Sequence, residues 1–169
     1  YRIKNKLPLK ILGSKSIKSI NYLENRGSAQ CKSSVMFAAL NAPGTTYIKA
    51  KKSRDHSELL FKYLKIPIKI KKTKKYDFIE IKQPKKIKPF NYQIPGDISS
   101  SAFFMVLATL TKSSMLLIKN VNINPTRLGA VTILKRMGAK ILLKKQRNYR
   151  GEKISDILIK SSNNLKAIN

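Results

Sequence analysis

The chain has 169 residues, of which 42% are hydrophobic and 26% charged, and it carries a formal net charge of +28. This length suffices for one ordinary domain or two small ones, each with a buried core. No run of about 18 apolar residues predicts a membrane span, and the N-terminal residues lack the order of a signal peptide. The one cysteine, Cys31, excludes an internal disulfide, so we expect a cytoplasmic protein.

The high positive charge raises the question of nucleic-acid binding. However, the lysines are spread through almost every segment and accompany many Ile and Asn residues, which indicates A/T-rich codon usage. The sequence contains no RRM, zinc-finger or KH pattern. We therefore expect no nucleic-acid partner and no membrane association, but a surface that attracts small anions.

In the first half of the chain, hydrophobic periodicity predicts strands in LPLKILGS and SIKSINY, followed by a helix in SAQCKSSVMFAAL. Ser28 is the predicted N-cap of this helix, and Pro43-Gly44 marks its end. TTYIKAKK is typical of a strand, and SRDHSELLFKYLKI of an amphipathic helix opened by Ser53. IPIKIKKT and YDFIEIKQP alternate as two strands around a polar turn.

The second half repeats this order. PGDISSSAFFMVLATLTKSS predicts a helix capped by Asp97, Ser99 and Ser100, and SMLLIKNV predicts the next strand. PTRLGAVTILKRMG predicts a helix with Pro125 near its start and Gly138 just past its end. AKILLKK and ISDILIKSS are predicted strands on either side of a polar loop, QRNYRGEK.

The two halves superpose at an offset of roughly 70 residues, which indicates a tandem β-α-β-α-β-β unit that occurs about twice. The segment KQPKKIKPFNYQIPG, with its prolines and charge run, is the natural boundary between them. Such units bury their apolar faces against further copies, so two copies are expected to be part of a larger protein.

Taken in order, the segments SAQCKSSVMFAAL, SRDHSELL, IPGDISSSAFF, VNINPTRLG with LKRMGAKI, and GEKISDILI resemble the 5-enolpyruvylshikimate-3-phosphate synthase family, in its Ser-Ala-Gln and Ser-Arg-Asp-His variant. The resemblance covers essentially the whole chain. It implies an α/β (α+β) protein built from the repeated units of the enolpyruvyl transferase fold, an inside-out α/β barrel. It makes residues 1–92 the later part of the N-terminal domain and residues 93–169 the first repeat unit of the C-terminal domain, with a hinge near 84–96.

The resemblance also implies the reaction and the substrates. The family transfers the enolpyruvyl group of phosphoenolpyruvate to the 5-hydroxyl of shikimate 3-phosphate and releases phosphate, without a metal or an organic cofactor. A serine at a helix N-terminus offers its hydroxyl and free backbone N–H groups to an anion. By resemblance, Ser28, Ala29, Gln30 and Arg54 bind shikimate 3-phosphate, and Gln30 also contacts phosphoenolpyruvate. Ser53 is a weaker candidate for the same phosphate or for the cap of its helix.

Neighbouring residues are expected to play supporting parts. We expect Asp55 to hold Arg54 in place and His56 to be a local hydrogen-bonding residue beside Asp55, not a general base. Lys32 is a weaker candidate for adding positive potential near the pocket. The turn from Asn124 to Arg127 is expected to be structural.

Two residue sets of the family have no counterpart in this sequence: an N-terminal Lys-Ser and Arg that bind both substrates, and the later acidic and basic residues that transfer protons. We therefore expect no catalytic residue here, a partial gene product that is inactive alone and binds shikimate 3-phosphate weakly at best, and a monomeric full-length enzyme. One alternative is the sister transferase acting on UDP-N-acetylglucosamine, which lacks this motif series. The other is a non-enzymatic basic module that binds anions or RNA, which steep salt dependence would reveal.

Overall fold

A computed structural model describes residue 10 and residues 12–168, which form two β-sheets covered by helices. The strands are β1 (Asn21–Glu24), β2 (Thr45–Lys51), β3 (Ile68–Lys72), β4 (Tyr76–Lys82), β5 (Met115–Asn122), β6 (Lys140–Tyr149) and β7 (Glu152–Lys160). The helices are α1 (Ala29–Ala39), α2 (His56–Tyr63), α3 (Ile98–Leu110) and α4 (Gly129–Arg136), with a short 3-10 helix (Pro125–Arg127) before α4. The mixed α/β class predicted from the sequence is confirmed.

The first unit is a four-stranded sheet in the order β1-β2-β4-β3. β1 runs parallel to β2, and the other neighbours are antiparallel. The alternating pattern of β2 and β4 directs Ile48 and Ile79 into a core that is closed by Met36 of α1 and Phe61 of α2. This period-2 alternation is what the sequence pattern predicted for these strands.

The second unit is a three-stranded antiparallel sheet in the order β5-β7-β6. Its central strand β7 has six consecutive buried residues, because β5 and β6 flank its two edges and helices α3 and α2 pack against it. Ile157 and Ile159 of this strand pack in one core with Met105 of α3 and Val131 of α4. Each unit therefore has its own hydrophobic core.

The two sheets are related in the way that the repeat predicts. β5, β7 and β6 follow the order of β2, β4 and β3, and Gly96 makes a parallel bridge to Val121 where β1 pairs with β2 in the first unit. The second unit has thus reduced its first strand to a single bridge. Residues 83–95 connect the two sheets without regular secondary structure.

Two local predictions differ from the structure. The expected loop QRNYRGEK is wrong, because β6 continues to Tyr149 and β7 begins at Glu152, which leaves only Arg150 and Gly151 in the turn. Both turn residues have positive φ, +49° and +90°, as a tight hairpin turn requires. The single helix expected from Pro125 divides into the 3-10 helix and α4.

The N-terminal strand predictions are tested only in part. Half of LPLKILGS lies outside the described residues, and from SIKSINY only Asn21 and Tyr22 belong to a strand. Within the described part of the chain, no helix has the length and apolar character needed to cross a membrane.

Candidate functional site

The turn that leads into α1 is built around the carboxylate of Glu24. Its two oxygens accept the backbone N–H groups of Arg26 and Gly27 at 2.9 and 2.8 Å, and Gly27 adopts a φ of +75°. Burial alone would raise the pKa of Glu24, but the N–H groups of Ser28, Arg26 and Gly27 lower it below its usual value. The charged carboxylate therefore fixes the direction in which the chain enters α1.

Ser28 is the N-cap of α1, as predicted. Its backbone is extended, and its Oγ accepts the N–H of Cys31 at 3.2 Å, so its hydroxyl proton can still be donated. The first-turn N–H groups of Ala29 and Gln30 have no acceptor within the helix, and the turn contains no acidic residue. Ser28 and Ala29 are half-buried and Gln30 is exposed, which leaves these donors accessible to an anion.

Arg54 is brought to the same helix by a buried lysine. Lys32, in the second turn of α1, donates from Nζ to the Arg54 carbonyl oxygen at 2.9 Å. The Arg54 side chain is exposed, and none of the described carboxylates forms an ion pair with it. A guanidinium without an acidic partner can bind a phosphate with two hydrogen bonds.

Lys32 itself does not add positive potential to the site. Its side chain is fully buried, and its Nζ lies 2.6 Å from Oε1 of Glu58 in α2. The expectation of a contribution to the pocket is wrong, because the charge is neutralised inside the protein. Lys32 instead joins the two helices, together with a hydrogen bond between the Ser33 and Ser57 hydroxyls at 2.6 Å.

Ser53 does not cap α2. Asp55 occupies the N-cap position and makes no side-chain capping bond, while Ser53 Oγ is buried and has no hydrogen-bond partner among the described residues. The capping alternative for Ser53 is therefore wrong. Its contact with shikimate 3-phosphate stays a prediction.

The partners expected for Asp55 and His56 are also wrong. Asp55 does not hold Arg54 but accepts from Lys72 Nζ and from Asn124 Nδ2, each at 2.8 Å. His56 does not bond to its neighbour either: its Nδ1 lies 2.5 Å from Oε1 of Glu152 in the second unit. Sequence reasoning missed these contacts, because nothing in local spacing relates residues so far apart.

Of the residues predicted to cap α3, Asp97 is confirmed as the N-cap, whereas Ser99 and Ser100 lie within the first turn of the helix and do not cap it. Asp97 accepts the backbone N–H groups of Ser99 and Ser100, and it forms an ion pair with Arg127 at 2.8 Å. Asn124 accepts the N–H of Thr126 at 2.9 Å and so caps the 3-10 helix. Among the described residues, no group of three or more histidine, cysteine or acidic side chains could hold a metal ion.

Two repeated units, one of which places a serine-capped helix start beside an arginine, are the features of a protein with the enolpyruvyl transferase fold. Two solved structures of EPSP synthase from Acinetobacter baumannii are similar to this chain, with TM-scores of 0.79 and 0.80 at 38% sequence identity. The matches cover 91% and 94% of this chain but 34% and 36% of those chains.

Sequence comparison gives the family. The family model described as EPSP synthase (3-phosphoshikimate 1-carboxyvinyltransferase) matches residues 1–168, so the chain belongs to this family. The 3-phosphoshikimate 1-carboxyvinyltransferase of Caldicellulosiruptor bescii is 43% identical over 158 residues, and that of Petrotoga mobilis is 43% identical over 156. These matches cover 93% and 92% of this chain, but the chain spans only 36% and 35% of the two relatives.

Proposed function

We propose that this chain forms the shikimate 3-phosphate side of an enolpyruvyl-transfer site. The whole enzyme would join the enolpyruvyl group of phosphoenolpyruvate to the 5-hydroxyl of shikimate 3-phosphate and release phosphate. One observation carries the proposal: Lys32 holds the Arg54 backbone at 2.9 Å against the helix that Ser28 caps. Membership of the EPSP synthase family supports the choice of reaction and argues against the UDP-N-acetylglucosamine alternative.

The chemistry of the donors suits a phosphate ester. The Ser28 hydroxyl and the backbone N–H groups of Ala29 and Gln30 are neutral donors at the positive end of the helix dipole. Arg54 adds one fixed positive charge and two parallel donors. The Gln30 amide can donate to one substrate and accept from another, which is why we assign it to both shikimate 3-phosphate and phosphoenolpyruvate.

Ser53 is the weaker member of the proposed site. Its buried hydroxyl, which has no hydrogen-bond partner in the part of the chain that the structure describes, is adjacent to Arg54 and would gain a hydrogen bond if the bound phosphate drew it outward. An unsatisfied buried hydroxyl is costly, so such a bond would be favourable.

We propose that residues 1–92 are the later part of an N-terminal domain and residues 93–169 the first repeat unit of a C-terminal domain, with the boundary near 84–96. The separate hydrophobic cores support this division. The proton-transfer groups would lie in other parts of the enzyme, so the chain alone is expected to be inactive. We further propose a cytoplasmic, monomeric full-length enzyme that requires no cofactor and has no nucleic-acid or membrane partner.

An NMR titration of the isotopically labelled chain with shikimate 3-phosphate tests the proposal. The backbone signals of Ser28, Ala29 and Gln30 are expected to shift, and Arg54→Gln should weaken binding by about tenfold or more, since a hydrogen-bonded charge contributes about 1.5–3 kcal/mol. Arg136→Gln is the matched control, because Arg136 is an exposed arginine in the last turn of α4.

The competing hypothesis of a non-enzymatic, nucleic-acid-binding module predicts a different result. A basic module that binds nucleic acid would lose affinity steeply as salt is raised and would not prefer shikimate 3-phosphate over inorganic phosphate. Equal binding by Arg54→Gln and the unsubstituted chain, or no preference for the sugar phosphate, would contradict the proposed site.

A further inference from the structure

The two units meet where the β6–β7 hairpin packs on α2. A Cβ atom at Gly151 would lie 3.0 Å from the Leu59 carbonyl oxygen and 3.5 Å from Tyr63 Cβ, so the turn is in close contact with the helix backbone. The guanidinium of Arg150 lies over the rings of Tyr63 and Tyr149, at 6.0 and 5.4 Å from their centroids. The units therefore share an interface beside the connecting segment.

Within this interface, polar side chains from both units form one continuous series. Lys72 Nζ binds Oδ2 of Asp55 at 2.8 Å, and Asn124 Nδ2 donates to Oδ1 of the same carboxylate at 2.8 Å. Asn124 Nδ2 also donates to Oε2 of Glu152 at 3.3 Å, and the other oxygen of Glu152 lies 2.5 Å from His56 Nδ1. One amide group thus holds together two carboxylates that belong to different units.

The central amide has a fixed orientation. Asn124 is 2% exposed, and its Oδ1 accepts both the N–H and the hydroxyl of Thr126, at 2.9 and 2.7 Å. Its NH₂ group must therefore point at Asp55 and Glu152. Burial of the two carboxylates, which are 9% and 6% exposed as residues, makes loss of this donor costly.

The series ends beside the proposed phosphate site. Arg54 precedes Asp55 directly, and its carbonyl is held by Lys32 of the first unit. The backbone of this arginine is therefore fixed from one side by α1 and from the other, through Asp55 and Asn124, by the second unit. A change in the angle between the units would move the Arg54 segment or break a buried hydrogen bond.

We infer that Asn124 is a positioning residue: by joining the carboxylates of Asp55 and Glu152, it fixes the second unit relative to the Arg54 segment. The effect on ligand binding rests on the proposed function, whereas the effect on the relative position of the units does not. Asn124 acts through Asp55 and is not itself expected to touch the substrate.

The relative position can be measured with a pair of spin labels on the 169-residue chain. In a Cys31→Ser background, the exposed residues Lys69 and Lys112 are each replaced by cysteine, one in each unit, and the distance distribution is recorded. Asn124→Asp is expected to broaden or shift this distribution, because a third carboxylate would stand among two others. Asn148→Asp adds the same charge at an exposed site on β6 and should leave the distribution unchanged.

Circular dichroism shows whether Asn124→Asp is folded. If it is not, Glu152→Gln decides the question, since it keeps the side-chain shape but removes the charge facing Asn124 and His56. The inference would be overturned by an unaltered distance distribution in a folded Asn124→Asp chain. If that variant does not fold, an unaltered distribution in a folded Glu152→Gln chain would overturn it.

A parallel titration with shikimate 3-phosphate separates this inference from the proposed function. Asn124→Asp is expected to weaken binding about tenfold, the effect of losing one charge-assisted hydrogen bond. If the unsubstituted chain does not bind the sugar phosphate but the distance distribution still responds to Asn124→Asp, the proposed function fails and the positioning role stands. Tight binding by a variant with an altered distance distribution would overturn the link from Asn124 to Arg54.

Discussion

Lys32 Nζ lies 2.6 Å from Glu58 Oε1, and the two side chains are 0% and 3% exposed. The same ammonium donates to the carbonyl oxygen of Arg54. A buried ion pair thus links the start of α2 to α1, so that the Ser28 and Arg54 segments share one support.

Removing one partner of this ion pair should be strongly destabilising. Lys32→Met would leave the Glu58 carboxylate buried without its counter-charge, and we expect the free energy of unfolding to fall by about 3–5 kcal/mol. Lys32→Met combined with Glu58→Leu should recover most of the loss, because neither member of the former ion pair is then a buried, unpaired charge. Chemical denaturation of both variants checks this, and a loss of less than about 1 kcal/mol for Lys32→Met would contradict the buried pair.

Local patterns in the sequence were sufficient for most of the fold. The alternation around Ile48 and Ile79 and the N-caps at Ser28 and Asp97 depend on neighbouring residues, and the structure has each of them. The β6–β7 hairpin was harder to predict, because the segment QRNYRGEK is as polar as a typical loop. Its residues instead pair across two strands, with Asn148 opposite Lys153.

The sequence was sufficient to predict only part of the candidate site. Ser28 and Arg54 could be proposed because helix starts and arginines have anion-binding chemistry of their own. The partners of Asp55 and His56 could not, because Asn124 and Glu152 lie on another unit, and tertiary packing alone brings them together. The burial of Lys32 could not be predicted either, because its partner Glu58 lies 26 residues further along the chain and only tertiary packing brings the two together.

The capping role of Ser28 and its proposed role in substrate binding can be separated by substitution. Ser28→Ala should cost about 1 kcal/mol of stability through loss of the cap, whereas Ser28→Asp should keep the cap and most of the stability. Both changes should weaken binding of shikimate 3-phosphate, and the aspartate more strongly because it repels the phosphate. Calorimetry and thermal unfolding measure the two effects.

Asn41→Asp serves as the control for Ser28→Asp, because it adds the same charge at an exposed position just beyond the other end of α1. It should leave binding unchanged. Undiminished binding by Ser28→Asp would show that the phosphate does not lie at this helix start.

Lowering the pH should reduce the stability contributed by the turn before α1, which Glu24 holds. Burial opposes the shift, but the N–H groups of Ser28, Arg26 and Gly27 hold the pKa of Glu24 below its usual value of about 4.3. A lowered folded-state pKa gives stability that is complete above the unfolded-state pKa and is lost as the pH falls through the folded-state value. The native chain should therefore lose more stability on acidification than Glu24→Gln, as followed by thermal unfolding at several pH values. Glu80→Gln is the control, and identical pH profiles for the native chain and Glu24→Gln would contradict the role of Glu24.

Gly151 offers a test of the contact between the two units that changes no charge. It adopts a φ of +90°, and an added Cβ would lie 3.0 Å from the Leu59 carbonyl oxygen, so Gly151→Ala strains the turn and pushes the hairpin away from α2. We expect a loss of about 1–3 kcal/mol in the free energy of unfolding. Gly129→Ala is the matched control, because within the described part of the chain a Cβ there would meet nothing within 4 Å. If the denaturation curves of the two variants coincide, the hairpin turn is not in close contact with α2.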